Sequence, residues 1–473
     1  MFHIRILLFR FSFILVFSSI FSCHPKLKVN QEGANIARGS ESDTTAIEAQ
    51  NNDSITKSNA TKNNKDDYYV KDFLRYENYT YSNNIKTVLL HLQRDELSYP
   101  IIKLGSEDVF QLSFDDLHPA LKDYRYTFIH CDAAWQPSGI LESEYLEGFY
   151  ENAISDYKFS FNTNQQYIHY KVIFPDNNIK FLRSGNYIVK VFEGNEPEKI
   201  ILTRRFMLYE EKVIINATAK RPTIIQDRNY KQEIDFTINH GGYAILNPYD
   251  DLKVVLLQNF RWDNAITKLK PLFIKNNELT YDYDEDNVFI GGNEYRAFDI
   301  KSFLYYTERI GKITYDSLNH VYLLPDEKRS FKRYFSQSDI NGKYLIKIQE
   351  GRDSEIEADY VLVHFRLDFP NPLIDGNLYV FGALSDWGFK EEYKMKYDYK
   401  KLSYYTSVYL KQGYYNYEYV FLEDSKKEAD ASLIEGMHFE TENDYYILVY
   451  HKESGQNYYQ LIGFKTLNSI NTF

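Results

Sequence analysis

The chain has 473 residues, a formal charge of −12, 17% aromatic residues and only two cysteines. Its length suits about two to four domains with cores of their own, so the fold need not depend on metals or disulfides. The Tyr- and Phe-rich composition favours β structure, and the acidic balance argues against nucleic-acid partners, because the chain would repel phosphate backbones.

The first 22 residues have the pattern of an export signal. A basic segment over Met1–Arg10 precedes an apolar run over Phe11–Phe21, which is the order found in secretory signals and is too short for a stable membrane span. The run Ile20-Phe21-Ser22-Cys23 resembles a bacterial lipobox. It predicts cleavage before Cys23 and lipidation of that cysteine, which would anchor the chain to a membrane. The alternative is an ordinary secretory signal with an incidental cysteine.

The segment 23–84 is polar and is predicted to be a disordered tether. Asn, Ser, Thr, Lys, Glu and Asp dominate it, as in Asn51-Asn52-Asp53-Ser54, and such a composition buries too little apolar surface to offset its ordering entropy. A flexible coil of this length spans on the order of 45 Å. The folded part is therefore expected to reach well away from the membrane.

A first β-sandwich is predicted over 85–210. Apolar residues alternate with polar ones over Tyr157–Phe161, Ile168–Phe174 and Tyr187–Val191, and this period of two indicates half-buried strands. Turn signals such as Ser184-Gly185-Asn186 separate the strands. The stretch Leu141–Asn152 has no clear period and is interpreted as a short helix or a loop.

Two further β domains are predicted downstream. The first covers 211–368 and includes strands over Glu233–Asn239 and Lys253–Gln258, while 300–333 has no clean period and no assignment. Two prolines in Phe369-Pro370-Asn371-Pro372 interrupt any ladder or helix and mark a boundary. A sandwich over 369–473 follows, with strands that include Tyr414–Leu422. The sequence thus predicts an all-β chain of three tandem β-sandwich domains, immunoglobulin-like or early-set-like, after the tether.

Motifs that would indicate catalysis are missing from the sequence. It contains no G-x-S-x-G, H-E-x-x-H, P-loop or G-x-G-x-x-G pattern. His130-Cys131-Asp132 lie side by side in a predicted strand, where neighbours point to opposite faces. The acidic run Asp282–Asp286 begins like a calcium loop, but Asn287 and Asn293 stand where that loop needs Gly and Glu. The sequence therefore predicts a protein that is not an enzyme and uses no cofactor or metal.

The predicted third domain resembles sugar-binding sandwich modules. The run Phe381–Trp387, followed by Gly413–Phe421, is similar to early-set domains that bind glycogen and starch. In those domains a Trp and nearby aromatics stack on sugar rings, which makes Trp387, Tyr414 and Tyr417 the candidate sugar-binding residues. Glu418 stands where a basic residue is usual, so the resemblance supports the fold more than the ligand.

Several longer stretches point to a single family. These stretches are Glu96-Leu97-Ser98-Tyr99-Pro100-Ile101-Ile102, Leu112-Ser113-Phe114-Asp115-Asp116-Leu117, Leu202-Thr203-Arg204-Arg205-Phe206, Lys231-Gln232-Glu233-Ile234-Asp235-Phe236, Gln258-Asn259-Phe260-Arg261-Trp262-Asp263-Asn264-Ala265 and Gly291-Gly292-Asn293-Glu294-Tyr295-Arg296. Together they resemble the type IX secretion system plug proteins of Bacteroidota, over about 85–466. The resemblance implies a periplasmic protein that binds the outer-membrane translocon barrel and closes it when no substrate passes.

The resemblance carries no catalytic residue, so it implies a role rather than a site. No run of acidic residues that would direct the chain to the cell surface follows Cys23, and the expected location is the periplasm, anchored to the inner leaflet of the outer membrane. The alternative function is that of a carbohydrate-binding lipoprotein that uses the domain around Trp387. A pull-down from outer-membrane extracts and a glycan-retention assay distinguish the plug function from carbohydrate binding.

Overall fold

The computed structural model describes residues 73–470, and strands dominate this part of the chain. Its α-helices are single turns of four residues, at Glu142–Tyr145, Pro248–Asp251, Ser354–Glu357 and Ser432–Glu435. No helix within 73–470 has the length and apolar character that a membrane span needs. The prediction of an all-β fold is confirmed.

The N-terminal module is built from twelve strands. They are β1 (Tyr79–Thr80), β2 (Ile85–Leu92), β3 (Ile101–Lys103), β4 (Phe110–Asp116), β5 (Tyr124–Cys131), β6 (Leu146–Gly148), β7 (Asn152–Ala153), β8 (Asp156–Phe159), β9 (Ile168–Phe174), β10 (Ile179–Phe181), β11 (Gly185–Glu193) and β12 (Ile200–Tyr209). One sheet has the order β1-β12-β11-β5-β7, with β3 parallel to β12, and the other has the order β2-β4-β9-β8. An aromatic core including Phe110, Phe128, Phe174 and Phe206 fills the module.

The next strands follow the chain through a central and a third module. The central strands are β13 (Ile214–Lys220), β14 (Lys231–Asn239), β15 (Leu252–Gln258), β16 (Phe273–Lys275), β17 (Glu278–Tyr281) and β18 (Val288–Ile290). The third-module strands are β19 (Arg296–Asp299), β20 (Ile310–Tyr315), β21 (Asn319–Leu323), β22 (Asp326–Glu327), β23 (Tyr344–Ile346), β24 (Tyr360–Asp368), β25 (Gly376–Phe381), β26 (Lys396–Asp398), β27 (Ser403–Lys411) and β28 (Gly413–Glu423).

The last two strands, β29 (Asp444–His451) and β30 (Gln460–Asn468), return to the central module. β29 pairs antiparallel with β15, from Leu252 opposite His451 to Gln258 opposite Tyr445. The resulting sheet β15-β29-β30 encloses a shared core with β13-β14-β17-β16, in which Ile234 and Ile447 are fully buried. The central module therefore consists of 213–290 and 443–469, two stretches far apart in the sequence.

The third module is complete before the chain returns. The sheet β20-β21-β24-β27-β26 and the strands β19, β23 and β25 around β28 enclose one core. Along β24 the inward residues Val361, Val363, Phe365 and Leu367 are buried and alternate with half-buried ones, the pattern of a sheet with one face in the core. The cores thus divide the chain differently from the predicted segments 211–368 and 369–473, because β19–β24 belong with β25–β28 and β29–β30 belong with β15.

The N-terminal and central modules pack sheet against sheet. Ile188 and Met207 from one sheet meet Leu257 and Leu448 from the other in an apolar cluster that also contains Cys131. The hydroxyl of Tyr450 donates a hydrogen bond to Asn186 Oδ1 across this contact, at 2.8 Å. Burial of this kind stabilises roughly in proportion to the apolar area removed from water. The two modules are therefore held together by a continuous core.

The predicted tether ends earlier than expected. Residues 79–80 form β1 and pair with Leu202 and Thr203 of β12, and Arg75 is buried. The reason is local composition, because Tyr76, Tyr79 and Tyr81 bring enough aromatic surface to order this stretch against the N-terminal module. The predicted signal over 1–22, Cys23 and the rest of the tether lie outside the described residues.

Candidate binding cleft at the junction of three modules

The three candidate sugar-binding residues do not share a surface. Tyr417 is fully buried and its hydroxyl donates to Asp326 Oδ2, at 2.8 Å, so neither face of its ring is available for stacking. Tyr414 and Trp387 line different clefts. Trp387 is half buried, with its ring 5.5 Å from that of Phe381 and 4.8 Å from the guanidinium carbon of Arg261.

The His130-Cys131 pair is buried and inert. The His130 imidazole shares a 2.8 Å hydrogen bond with the Ser138 hydroxyl, and burial lowers its pKa to about 4. Burial likewise raises the pKa of the Cys131 thiol to about 12. A thiol that stays protonated at neutral pH is a poor nucleophile. This agrees with the absence of a catalytic motif in the sequence.

The acidic turn that begins at Asp282 is neutralised by a lysine of the same sheet. Glu233, Asp235 and Asp282 lie together, and the Lys220 ammonium sits among them, 3.1 Å from Glu233 Oε1 and 3.6 Å from Asp282 Oδ1. Burial raises the pKa of Asp235 to about 6. The ammonium occupies the place that a bound cation would take, so this cluster is an ion-pair network.

A cleft of about 430 Å³ lies where the three modules meet. The N-terminal module supplies Tyr99 and Arg205, the central module supplies Trp262, and the third module supplies Lys343 and Trp387. Clefts at domain junctions are a common place for binding sites. The lining residues come from all three modules, so the cleft exists only when the three modules are assembled.

Aromatic side chains form the walls of this cleft. Tyr99 stacks on Phe260, with ring centroids 4.3 Å apart and planes inclined by 16°. Trp262 meets Trp135 edge to face at 5.1 Å, and Trp387 lies on the opposite module. Such walls provide rigid, amphipathic contact area for a partner.

Two loops that border the cleft hold left-handed backbone conformations at residues other than glycine. Asn259 and Phe260 have φ of 51° and 60°, and Asp386 and Trp387 have φ of 55° and 56°. Each such residue costs on the order of 1–2 kcal/mol. The Asn259 amide offsets part of this cost, because its Nδ2 donates to Asn443 Oδ1 and its Oδ1 accepts from the Asp444 N–H, at 2.8 and 2.9 Å.

The charged groups in the cleft divide into paired and unpaired ones. Asp386 contacts both Arg204 and Lys390, at 3.4 and 2.6 Å. Within residues 73–470, by contrast, no carboxylate lies within 4.0 Å of the Arg205 guanidinium or the Lys343 ammonium. Arg205 lies over Trp135 and Trp262, 4.4 and 5.5 Å from the ring centroids. Burial lowers its pKa to about 10.

A second cleft, of about 310 Å³, continues along the seam between the N-terminal and third modules. Both clefts have Arg204, Tyr344 and Asp386 in their walls. The two clefts therefore adjoin at the Arg204–Asp386 ion pair, and together they are called the groove below. Sequence reasoning missed this groove, because periodicity shows which strands form but not which loops of different modules meet.

Three of the stretches that carry the family resemblance meet at this groove. Tyr99 and Pro100 come from the first, Arg204 and Arg205 from the third, and Trp262 from the fifth. A fourth stretch contributes Tyr295, whose ring lies 6.1 Å from that of Trp387. The Arg, Trp and Tyr residues of these stretches are the signal in the sequence that could have found the site, although no site was predicted from them.

The fold and the groove define a class of protein, a multi-module β-sandwich protein with a binding cleft at its module junctions. Residues 85–210 match the family described as the type 9 secretion system plug protein 1st domain. The chain belongs to the type 9 secretion system plug protein family. Membership associates it with this secretion machinery and with the cell envelope, and suggests a non-catalytic role.

Solved structures add to this comparison. A crystal structure of a hypothetical protein from Parabacteroides merdae matches with a TM-score of 0.81 and 33% identity, over 84% of this chain and 100% of that one. A Pseudomonas fluorescens alkylpurine DNA glycosylase, AlkC, bound to DNA with an abasic site analog, matches with a TM-score of 0.16 and 13% identity, over 26% and 30% of the two chains. That likeness carries no argument. No curated protein matches the chain.

Proposed function

We propose that this protein binds the outer-membrane translocon barrel of the type IX secretion system from the periplasmic side and closes it when it is idle. The observation that carries the proposal is membership of the plug family, with a match over 85–210. The mechanism is reversible steric gating: the β modules occupy the barrel mouth, and no bond is made or broken. No cofactor takes part in such a mechanism.

The assembly of the modules supports a role as a rigid stopper. Asp115 of the N-terminal module is fully buried and contacts Lys411 Nζ of the third module at 2.6 Å. Arg261 of the central module contacts Glu418 of the third at 3.1 Å. Each junction between modules thus contains a buried polar contact that fixes its geometry, in addition to apolar packing. A body that resists deformation holds a pore closed better than one with mobile domains.

Exposed aromatic residues supply candidate contact points for the barrel. Phe159 and Phe161 are 59% and 66% exposed at the end of the edge strand β8, and Tyr157 on the same strand is 40% exposed. Large exposed aromatics close together are typical of protein interaction surfaces rather than of free solvent-facing strands. We assign this aromatic edge, residues 157–161, as one contact with the partner.

The predicted lipid anchor at Cys23 would place the protein at the inner leaflet of the outer membrane. Anchoring raises the effective concentration of the modules near the barrel, so that an interface of modest affinity is enough for closure. Modest affinity also allows a substrate-engaged barrel to displace the plug. The burial of Tyr417 gives the alternative, a carbohydrate-binding lipoprotein, no support of its own.

A pull-down tests the proposal. Tagged protein is incubated with detergent extracts of outer membranes from a Bacteroidota strain that has the secretion system, and the recovered proteins are identified by mass spectrometry. We expect recovery of the translocon barrel, and lower recovery with Phe159→Ser/Phe161→Ser than with the matched control Tyr399→Ser, which is exposed in the third module. Failure to recover the barrel, or elution of the bound material by oligosaccharides, contradicts the proposal.

A further inference from the structure

The groove holds a guanidinium whose binding capacity is mostly unused. Arg205 Nε donates to the Tyr76 carbonyl at 2.8 Å, and this is the one hydrogen bond of the guanidinium within residues 73–470. The two terminal nitrogens are left without a protein acceptor in this part of the chain. Contact with Trp135 and Trp262 restrains the guanidinium. Its terminal nitrogens can then donate the two parallel hydrogen bonds that a planar anion such as a carboxylate accepts.

A second cation lies in the wall of the same cleft. Lys343 Nζ donates to the Leu97 carbonyl at 2.6 Å and lies 4.2 Å from the centroid of Tyr99. The four carboxylates of the cleft form no ion pair with these two cations: Asp386, Asp263 and Glu77 pair with other residues, and Glu96 is exposed. The charge of Glu77 only partly offsets the effect of burial on the pKa of Arg205. In a chain of charge −12, two unpaired interior cations in one cleft favour a ligand with negative charge.

The aromatic walls and the shape of the groove define the rest of the ligand. Tyr99, Trp262 and Trp387 are half-buried and line the cleft beside the cations. Phe260 is buried beneath Tyr99 and supports it from behind. The second cleft adjoins the first at Arg204, so a compact small molecule fills only part of the groove. An extended peptide advances about 3.3 Å per residue and follows such a groove along its length.

We propose that the groove binds an extended segment of a partner polypeptide that presents a carboxylate next to an aromatic side chain. Arg205 receives the carboxylate, Lys343 adds to the positive field, and the aromatic side chain packs between Tyr99 and Trp387. This interaction is separate from closure of the barrel and does not depend on it. It makes the junction a specific recognition site in addition to a structural seam.

Binding is tested on the full-length protein by fluorescence anisotropy with a labelled synthetic peptide. The probe is Gly-Ser-Asp-Tyr-Asp-Tyr-Ser-Gly, about eight residues and roughly 25 Å when extended. Its counterpart with Asn in place of each Asp is expected to bind about tenfold or more weakly, because a charge-assisted hydrogen bond is lost. Free 4-hydroxyphenylacetate, a small molecule with one carboxylate and one phenol ring, is tested in parallel as a ligand. If it binds as tightly as the peptide, the peptide part of the proposal is overturned.

Variants locate the site. We expect Arg205→Gln to weaken peptide binding about ten- to hundredfold and Lys343→Gln to weaken it less, whereas Arg366→Gln, an exposed arginine paired with Asp368 on β24, leaves it unchanged. Arg205→Lys retains the charge and should restore part of the affinity, which keeps the test valid if Arg205→Gln fails to fold. The absence of binding at about 1 mM peptide, or equal binding by a folded Arg205→Gln, overturns the proposal.

The chain itself contains a segment of the proposed chemistry, Asp66-Asp67-Tyr68-Tyr69, a few residues before the described part begins. The variant Asp66→Asn/Asp67→Asn in the full chain separates this occupant from a partner. Unchanged affinity for the probe supports a partner polypeptide. A severalfold gain in affinity shows that the chain's own segment competes for the groove and overturns the assignment to a partner.

Discussion

The buried contact between Asp115 and Lys411 offers the sharpest test of how the modules are joined. Asp115 accepts hydrogen bonds from Lys411 Nζ, Tyr360 OH and His169 Nδ1, at 2.6, 2.7 and 2.7 Å. Burial alone would raise the pKa of Asp115, but Lys411 and His169 together outweigh it and hold the pKa below its ordinary value. Asp115 is therefore charged at neutral pH, and its charge depends on a lysine of another module.

The perturbation is Lys411→Met, which keeps the length of the side chain and removes its charge. Removing one partner of a buried ion pair leaves an uncompensated charge and costs about 3–5 kcal/mol. Two other donors remain on Asp115, so we expect a loss at the lower end, about 3 kcal/mol in the free energy of unfolding. Asp115→Asn should cost a similar amount, since it strands the Lys411 ammonium.

The assay is urea denaturation followed by tryptophan fluorescence and circular dichroism, with a double-mutant cycle. We expect Asp115→Asn/Lys411→Met to be more stable than the sum of the single losses by about 2 kcal/mol or more. The control is Lys426→Met, which removes an exposed pair with Glu423 and should change the free energy of unfolding far less than Lys411→Met does. A cost for Lys411→Met no larger than that of the control, or additive single effects, refutes the reasoning.

Three further predictions concern single side chains. Burial raises the pKa of Glu418 to about 7 despite its contact with Arg261, so the native state holds a proton that the unfolded state releases. The free energy of unfolding should therefore fall as pH rises from about 5 to 8. Denaturation at each pH should show a smaller fall for Glu418→Gln. Cys131 should resist iodoacetamide in the native protein and react only after unfolding, as mass spectrometry of a Cys23→Ser variant would show; modification under native conditions contradicts its burial. Trp387→Ala should lower the melting temperature, because the ring packs on Phe381 and Arg261. The same variant should be retained on a glycan column to the same extent as the unmodified protein. Loss of glycan retention would support the carbohydrate-binding function instead.

The strands were predictable from the sequence because their signal is local. The alternation in Ile168–Phe174 and Glu233–Asn239 predicted β9 and most of β14, since one face of each strand is buried. The single helical turn at Glu142–Tyr145 lies within the stretch interpreted as a short helix or a loop. Each of these assignments needed only a window of a few residues.

The grouping of strands into modules was not predictable in the same way. β15 pairs with β29 across about 190 residues of chain, and periodicity carries no information about which distant strand is the partner. The prolines at 370 and 372 follow the end of β24, but the chain stays within the same core afterwards. A proline ends a strand without ending a domain.

At the candidate site, the sequence could show neither which aromatic residues are buried nor which residues of different modules meet. In Gly413–Phe421 aromatic residues occupy both faces of the strand, so the pattern does not separate the half-buried Tyr414 from the fully buried Tyr417. Arg205 and Trp262 were both quoted as part of the family resemblance, yet their meeting in one cleft depends on the packing of two modules. The sequence shows that Arg205 and Trp262 are present, but only the folded structure shows that they lie close together.

Single-channel recording tests the central claim most directly. The purified translocon barrel is placed in a planar lipid bilayer, and conductance is measured before and after the protein is added to the periplasmic side. If the β modules obstruct the barrel, the open-channel current falls to the level of a closed pore and recovers when the protein is washed out. An unchanged current, with the protein shown to be folded and bound, would contradict closure by steric obstruction.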